Sequence, residues 1–460
     1  MASHVRVWMI AAVLLCAAGS AVAQDTGATA GLFDRDSLTG GWFGAAADLK
    51  EHGVGLGATE ISEVLGVLSG GSRGGVVYEG RLELDLDIDL GELIGLNNTV
   101  FHTHAFQIHG RGLSGNYLGS NFETVSNIEA TRAARLFDIW VEHGFLDNAL
   151  SVRLGQIAAD DEFYTSLNTG GLMNATFGFP AVLATALPSG GAEYPLATPG
   201  IRVKYAFTNA ITVQLGVFNG DPAGGDPGIS LGAVDPQTSN PDGTQFAIDH
   251  SPLVILEASY AVDADTETSP TDVYKIGVWR QGGRYDDVAV DSAGRSLALP
   301  GTQTPRPHAG DFGIYFVADA LVYKVADDRS VNGFLRMGTA PTDRNFIGFD
   351  IDGGFAFKGP IASRPDDIAS LGASFAQVSG RVADLFAAFQ RYAGSTTPAP
   401  DYEAVIELNY QIGLAPWWTL QPDLQYVFHP TSQLLQPNPA VTPPYIHNAL
   451  IAGVRTSIRF

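Results

Sequence analysis

The clearest pattern in the chain is strict alternation from Glu79 to Leu90, where Leu82, Leu84, Leu86, Ile88 and Leu90 take every second position against Arg81, Glu83, Asp85, Asp87 and Asp89. A period of two is that of a β-strand, whose successive side chains leave opposite faces. The stretch Asn448 to Phe460 repeats it, with Leu450, Ala452, Val454, Ile458 and Phe460 on one face and Gly453, Arg455, Ser457 and Arg459 on the other. In Ile201 to Phe207 the apolar face is Ile201, Val203, Tyr205 and Phe207, and the other carries Arg202 and Lys204. Further strands are predicted at Ile211–Phe218, Val273–Gln281, Phe312–Val325, Ala404–Gly413 and Thr419–Phe428.

Alternation alone fits a soluble sandwich, with its acids in water, as well as a barrel whose leucines face lipid and whose acids face a wet lumen. The connections favour the barrel. Leu414 to Trp417 is a short turn, whereas Ala393 to Asp401 and Pro430 to Pro444 are long, polar and proline-rich. Short turns on one side and long loops on the other are the habit of outer-membrane barrels. Trp417, Trp418, Tyr426, Phe428 and Phe460 stand where strands meet connections, as interfacial aromatic belts require. The expected fold is therefore all-β: a transmembrane antiparallel β-barrel of about sixteen strands, with short periplasmic turns, long extracellular loops and both termini on the periplasmic side. A barrel has no free edge, so the last strand must pair with an early one, and Glu79 to Asp89 is the expected closing neighbour.

The beginning of the chain agrees with export. His4 and Arg6 precede an apolar run from Val7 to Ala18, and Ala21-Val22-Ala23 supplies small residues for cleavage before Gln24. The run is well short of the ~20 residues that span a bilayer. The expected organisation is a signal peptide over 1–23 and one barrel over 24–460. Within the latter, 24–78 forms a periplasmic N-terminal segment with a short helix leading into the wall. The single cysteine, Cys16, leaves with the signal, which removes disulfides and thiol chemistry.

Composition narrows the class further. The 54 glycines, 25 Phe, 15 Tyr and 6 Trp, with a mean hydropathy of only +0.08, suit many turns and girdles, and no second long apolar run supports a helical membrane protein. A net charge of −23 without a Lys/Arg cluster argues against nucleic-acid binding.

Strand parity selects the candidate lumen residues: Arg81, Glu83 and Asp85 on one strand, Asp138, Trp140 and Glu142 on another, then Arg153. Near the end of the chain it selects Glu403 and Glu407, then Gln421, Asp423 and Gln425, then Arg455 and Arg459. Arg111 joins them from the turn HGRGLSG. Facing arginines and carboxylates would form a polar, sugar-sized constriction, or would simply solvate the lumen and pair with one another. His102 and His104 share a face, but no acid or thiol stands at ligand spacing in the sequence, so no metal is expected. Asp85, Asp87 and Asp89 begin like a calcium loop, yet Leu90 and Leu96 replace its glycine and glutamate. The chain carries no nucleophile elbow, P-loop or dinucleotide fingerprint; it is not expected to be an enzyme or to need a cofactor.

Three blocks resemble the carbohydrate-selective porins of the OprB family. They are Leu38 to Gly53 (LTGGWFGAAADLKEHG), Arg135 to Phe163 (RLFDIWVEHGFLDNALSVRLGQIAADDEF) and Glu403 to Phe460, with Trp417, Gln421-Pro422-Asp423, Gln425-Tyr426 and Pro430. The resemblance implies passive diffusion of small sugars across the outer membrane of a Gram-negative bacterium, through a water-filled channel with an arginine-rich constriction and acidic partners. A general or cation-selective porin is the alternative, and a secreted polysaccharide-binding β-sandwich a more distant one. The implied partners are sugars, outer-membrane lipid and the insertion machinery, which would read the terminal strand. Oligomeric state stays open, because lipid-facing and subunit-facing strands are both apolar. Asp160 to Pro180, long and glycine-rich, is the expected inward-folding loop on position alone.

Overall fold

The alternating segments are strands, and they close on themselves. The computed structural model describes residues 31–119, 122–223, 235–262, 272–301, 304–395, 398–430 and 446–460. Its strands are β1 (Val54–Gly71), β2 (Gly75–Asp89), β3 (Thr99–Gly110), β4 (Ala133–Phe145), β5 (Leu150–Ile157), β6 (Thr198–Ala206), β7 (Ile211–Phe218), β8 (Leu253–Ala261), β9 (Val273–Asp291), β10 (Pro305–Ala326), β11 (Arg329–Thr339), β12 (Ile347–Lys358), β13 (Ile368–Val378), β14 (Tyr402–Ala415), β15 (Trp418–Phe428) and β16 (His447–Arg459). Each pairs antiparallel with its neighbours in the chain, and β1 with β16, giving a closed barrel of sixteen strands rather than two packed sheets.

Two expectations are corrected here. The wall begins at Val54, inside the 24–78 stretch assigned to a preceding segment; among the described residues the short helical turns Leu32–Asp34 and Gly40–Phe43 and the helix Ala45–Lys50 precede it. The closing neighbour of β16 is accordingly β1, not Glu79 to Asp89, which lies one strand further on. The reason is the composition of β1. Gly55, Gly57 and Gly66 interrupt the alternation, and Glu60 and Ser62 occupy outward positions where apolar residues would have announced a strand. The expected signal peptide lies outside the described residues.

The two ends of the barrel differ. At the end that holds the helix Ala45–Lys50 and Phe460, several connections are tight: 146–149, 207–210, Asp327-Asp328 and Pro416-Trp417. At the opposite end the connections 111–132, 158–197, 219–252, 379–401 and 429–446 are long, whereas Ser72 to Gly74 and 340–346 are short. Trp417 departs from the expected belt. It is buried, stacks on Trp418 with centroids 5.8 Å apart, and donates through Nε1 to the carbonyl of Leu32 at 2.9 Å, so the N-terminal segment is clasped beneath the turn.

Outward positions carry exposed large apolar side chains around the barrel, among them Val76, Leu154, Leu256, Ile276, Ile314, Leu408 and Val454. Such a surface needs hydrocarbon around it. The hydrophobic core lies inside. Leu113, Leu118, Val125, Leu172, Met173 and Phe177, from two long connections, pack against Leu65, Val405, Val427 and Ile451 of the wall. Further round, Phe163, Tyr164 and Leu183 meet Ile255, Trp279 and Tyr315. The helix Gly380–Ala393 adds Val382 and Phe386 to this second cluster from the far end. Asp160 to Pro180 thus folds inward as expected, and 111–132 folds in beside it.

Candidate functional site

The inward connections are held by charged wall residues that satisfy their backbones. Glu407 on β14 accepts from the amides of Met173 at 2.6 Å and Asn174 at 2.8 Å, and Glu403 accepts from those of Phe122 and Glu123 at 3.2 and 2.8 Å. Glu257 on β8 takes the amide of Tyr164 at 3.0 Å and the hydroxyl of Tyr315 at 2.8 Å. Arg336 on β11 is fully buried; it pairs with Asp352 at 2.9 Å and donates to the carbonyls of Tyr164, Thr176 and Gly178. An irregular segment inside a barrel leaves backbone groups away from water, and these side chains replace the missing ladder.

Three of the candidate lumen residues belong to this anchoring face. Gln421 donates to the carbonyl of Gly171 at 2.7 Å, Asp423 is buried beside Gln425, and Arg455 reaches Glu63 and the side chain of Asn127. Parity placed them correctly on the inner face. It carried no information on the protein that fills the lumen there.

The opposite arc, β2 to β6, stays open. A cavity of about 710 Å³ at the loop end is lined by Arg111, Glu129, Arg132, Tyr194, Asp235 and Gln237, and another of about 470 Å³ at the terminal end by Val100, Trp140, Glu142, Ser151 and Lys204. Arg111 therefore stands at the mouth. Between the cavities lie Arg81, Glu83, Asp85, Asp138 and Arg153, with Trp140 and Glu142 on the edge of the second, all brought side by side by the registers of β2 with β3, β3 with β4 and β4 with β5.

Their geometry is specific. Arg153 binds Glu142 at 2.8 Å and Glu162 at 2.6 Å, and Arg202 binds the same two carboxylates at 2.8 and 3.0 Å. The Arg153 guanidinium lies 3.7 Å from the centroid of the Trp140 ring, and His102 stacks on that ring at 4.7 Å. Arg81 pairs with Glu83 and lies over both Phe106 and Tyr194, with centroid distances of 4.7 and 4.6 Å. Gly155 stands opposite Trp140, where a Cβ would come within 2.8 Å of the Trp140 Cβ and 2.2 Å of the Ile139 carbonyl oxygen. A glycine there lets the indole lie against the wall.

The inward loop adds acids at the same level. Burial inside the barrel pushes Asp160 up to about 6, against the amide of Tyr194 that hydrogen-bonds it. Asp161 opens to lumen water but is ringed by the wall. Burial first, then the neighbouring carboxylates Asp160, Asp138 and Glu162, push it up to about 8 despite Arg153.

Strand alternation placed Arg202 inward on a basic lumen strand. It missed Glu162, Tyr194 and Arg336. Glu162 stands in the run Asp160-Asp161-Glu162, whose charge density at the start of the expected inward loop was a usable signal; Tyr194 carried none. The histidines gain neighbours that no single strand discloses. Acidic partners absent at ligand spacing in the sequence arrive from adjacent strands: Asp85 lies 3.4 Å from His104, and Asp138 and Asp87 lie 3.3 and 2.6 Å from His102.

Comparison with known proteins identifies the fold and the family. Porin B of Pseudomonas aeruginosa is 23% identical over 439 residues, covering 92% of this chain and 91% of its own. The high-pH structure of OprB from Pseudomonas putida superposes with a TM-score of 0.82 at 22% identity, over 94% of this chain and 100% of that one. The low-pH structure of the same protein gives 0.55 at 18% identity, over 93% and 99%. The model of the carbohydrate-selective porins matches residues 73–460, so the chain belongs to the OprB family of carbohydrate-selective porins and is an outer-membrane channel rather than an enzyme.

Proposed function

We propose that sugar selectivity resides in the arc β2 to β6, where Arg81, Glu83, Asp85, Asp138, Trp140, Glu142 and Arg153, joined by Glu162 and Arg202, line the path between the two cavities. The observation that carries this reading is the Arg153–Trp140 pair braced by Glu142 and Glu162. An indole face suits the apolar side of a sugar ring, and ion pairs that already satisfy one another offer donors and acceptors to hydroxyls without holding a free charge. Contacts of that kind are weak and repeated along the path, which permits flux. Gln421 and Arg455 hold the inward loops directly and Asp423 does so through Gln425, which donates to the carbonyl of Val125, so all three act on selectivity through the loops.

The test is liposome swelling across sugars of increasing size, with W140A against the parent protein. Loss of discrimination between glucose and a size-matched polyol supports the assignment; unchanged discrimination overturns it. Reversal potential in a salt gradient, with and without glucose, separates this reading from a cation-selective pore.

Export would follow cleavage near Ala23, giving a mature chain that begins at Gln24, which intact mass of the membrane protein would verify. The alternating strand β16 is the segment the insertion machinery would read. A homo-oligomer is supported by a polar network on the outer face: Ser62 bonds Glu60 at 2.9 Å and Tyr78 at 3.1 Å, and His109 bonds Tyr78 and Gln107, each at 3.0 Å. Val64 and Val76 flank it toward one end and Leu84 and Leu86 toward the other. Polar groups are costly against lipid, so this patch would face a second copy. A Cys substituted for Val76 would then cross-link in membranes, and failure to do so would speak against contact there.

A further inference from the structure

We propose that His102, His104, Asp85 and Asp138 form a binding site for a divalent transition metal of the zinc class, placed in the channel between the two cavities so that an occupied site obstructs the path. Ligand atoms of Asp85, His102 and His104 lie within 4.8 Å of one another, the one such group among the described residues; Asp138 stands outside this trio and would join it from the far side of His102. Two contacts already have the right spacing. His104 Nε2 is 3.4 Å from an oxygen of Asp85, and His102 Nε2 is 3.3 Å from an oxygen of Asp138. Ligands held at ~2.0–2.1 Å around a tetrahedral zinc stand roughly 3.3 Å apart.

The hydrogen bonding points the same way. His102 Nδ1 lies 2.6 Å from Asp87. A carboxylate on one ring nitrogen fixes the tautomer and turns the other nitrogen into the ligand. That other nitrogen is the one facing Asp138. His104 Nε2 and Asp138 Oδ1 are both buried, their contacts with Asp85 and His102 fall short of hydrogen-bond geometry, and Asp138 is only 3% exposed. Buried polar atoms left unsatisfied in this way need an explanation, and an ion supplies one. Phe106 and Phe137 back His104 edge-on at 4.4 and 5.9 Å, giving the apolar surround that strengthens a metal site. Two imidazoles with carboxylates suit zinc, whereas calcium and magnesium favour oxygen alone.

Binding at this place bears directly on transport, because His102 stacks on Trp140. An ion on His102 would fix the indole's neighbour and add positive charge where Arg153 already stands. The binding claim needs no assumption about permeation; the obstruction claim rests on the transport reading above.

The experiment uses the detergent-purified protein without a histidine tag. Cobalt(II) is titrated in and followed by its visible bands, then displaced with zinc(II). One saturable equivalent is expected. H102Q and H104Q should each weaken it at least about tenfold, and D87N by roughly 10–100-fold. H308Q, at a histidine paired with Asp287 elsewhere in the barrel, should leave it unchanged. Heat-modified mobility on gels establishes that each variant is folded; if a histidine variant is not, D85N and D138N decide. Absence of bands at millimolar cobalt, or bands unaltered in the folded variants, overturns the site. Zinc should slow glucose entry into liposomes bearing the parent protein and spare H104Q; zinc binding with unchanged entry overturns the obstruction. A parent protein that admits no glucose even without metal would refute the transport reading and leave the site standing.

Discussion

Arg455 and Glu63 meet across the seam where the barrel closes. Both Nε and Nη2 of the arginine lie 2.5 Å from one oxygen of Glu63, whose side chain is fully buried. β16 and β1 come from opposite ends of the chain, so this pair ties together the two strands that find each other over the longest separation. R455A leaves a buried carboxylate without its cation. Breaking such a pair from one side costs about 3–5 kcal/mol, and the folded band on a gel should convert at a clearly lower temperature. R455A combined with E63Q removes the orphaned charge and should recover part of the loss. Equal destabilisation in the single and double variants would mean that the seam does not depend on this pair.

Glu403 and Glu407 hold the inward connections through four backbone amides. Each unsatisfied donor costs roughly 1–3 kcal/mol, so the E403A/E407A protein should keep its barrel while the segments around Phe122 and Met173 leave the wall. The expected result is a larger single-channel conductance and entry of sugars the parent excludes. E407Q, which retains an acceptor oxygen, should change conductance much less.

How far the sequence disclosed this arrangement depended on where each residue's partner comes from. Alternation in Glu79 to Leu90 and in Asn448 to Phe460 needs no partner to be read, and both segments are strands in which Arg81, Glu83, Asp85 and Arg455 take the inner face. The glycines of β1 and its outward Glu60 and Ser62 hid a strand of 18 residues, longer than either of these. His102 and Asp138 are neighbours only through the pairing of β3 with β4, and that register includes a shift between His104 and Ala105. No spacing rule along one strand reaches such contacts. The anchoring role of Gln421 was hidden for a related reason: its partner is the carbonyl of Gly171, on a connection whose path is fixed by tertiary packing.

Arg153 and Arg202 share Glu142 and Glu162, so replacing either arginine tests geometry as much as charge. Lysine keeps the charge but loses the planar fork that spans two carboxylates and stacks on an indole. R153K should therefore lower glucose entry in the swelling assay while altering ion conductance little. An R153K protein with parental sugar entry would show that charge alone suffices at this position.

The acids of the inward loop make ion selectivity depend on pH within an accessible range. Asp160 is pushed up to about 6 and Asp161 up to about 8, in each case mainly by burial. A carboxyl with a raised value is charged only above it. At pH 9 both are anionic, and the ratio of cation to anion permeability should be at its highest. As pH falls through about 8 and then about 6, first Asp161 and then Asp160 take up protons, and that ratio should fall. Reversal potentials in a salt gradient at pH 9 and pH 5 would record the shift. The D160N/D161N protein should behave at pH 9 as the parent does at pH 5. If its pH dependence were undiminished, the titrating groups would lie elsewhere in the lumen.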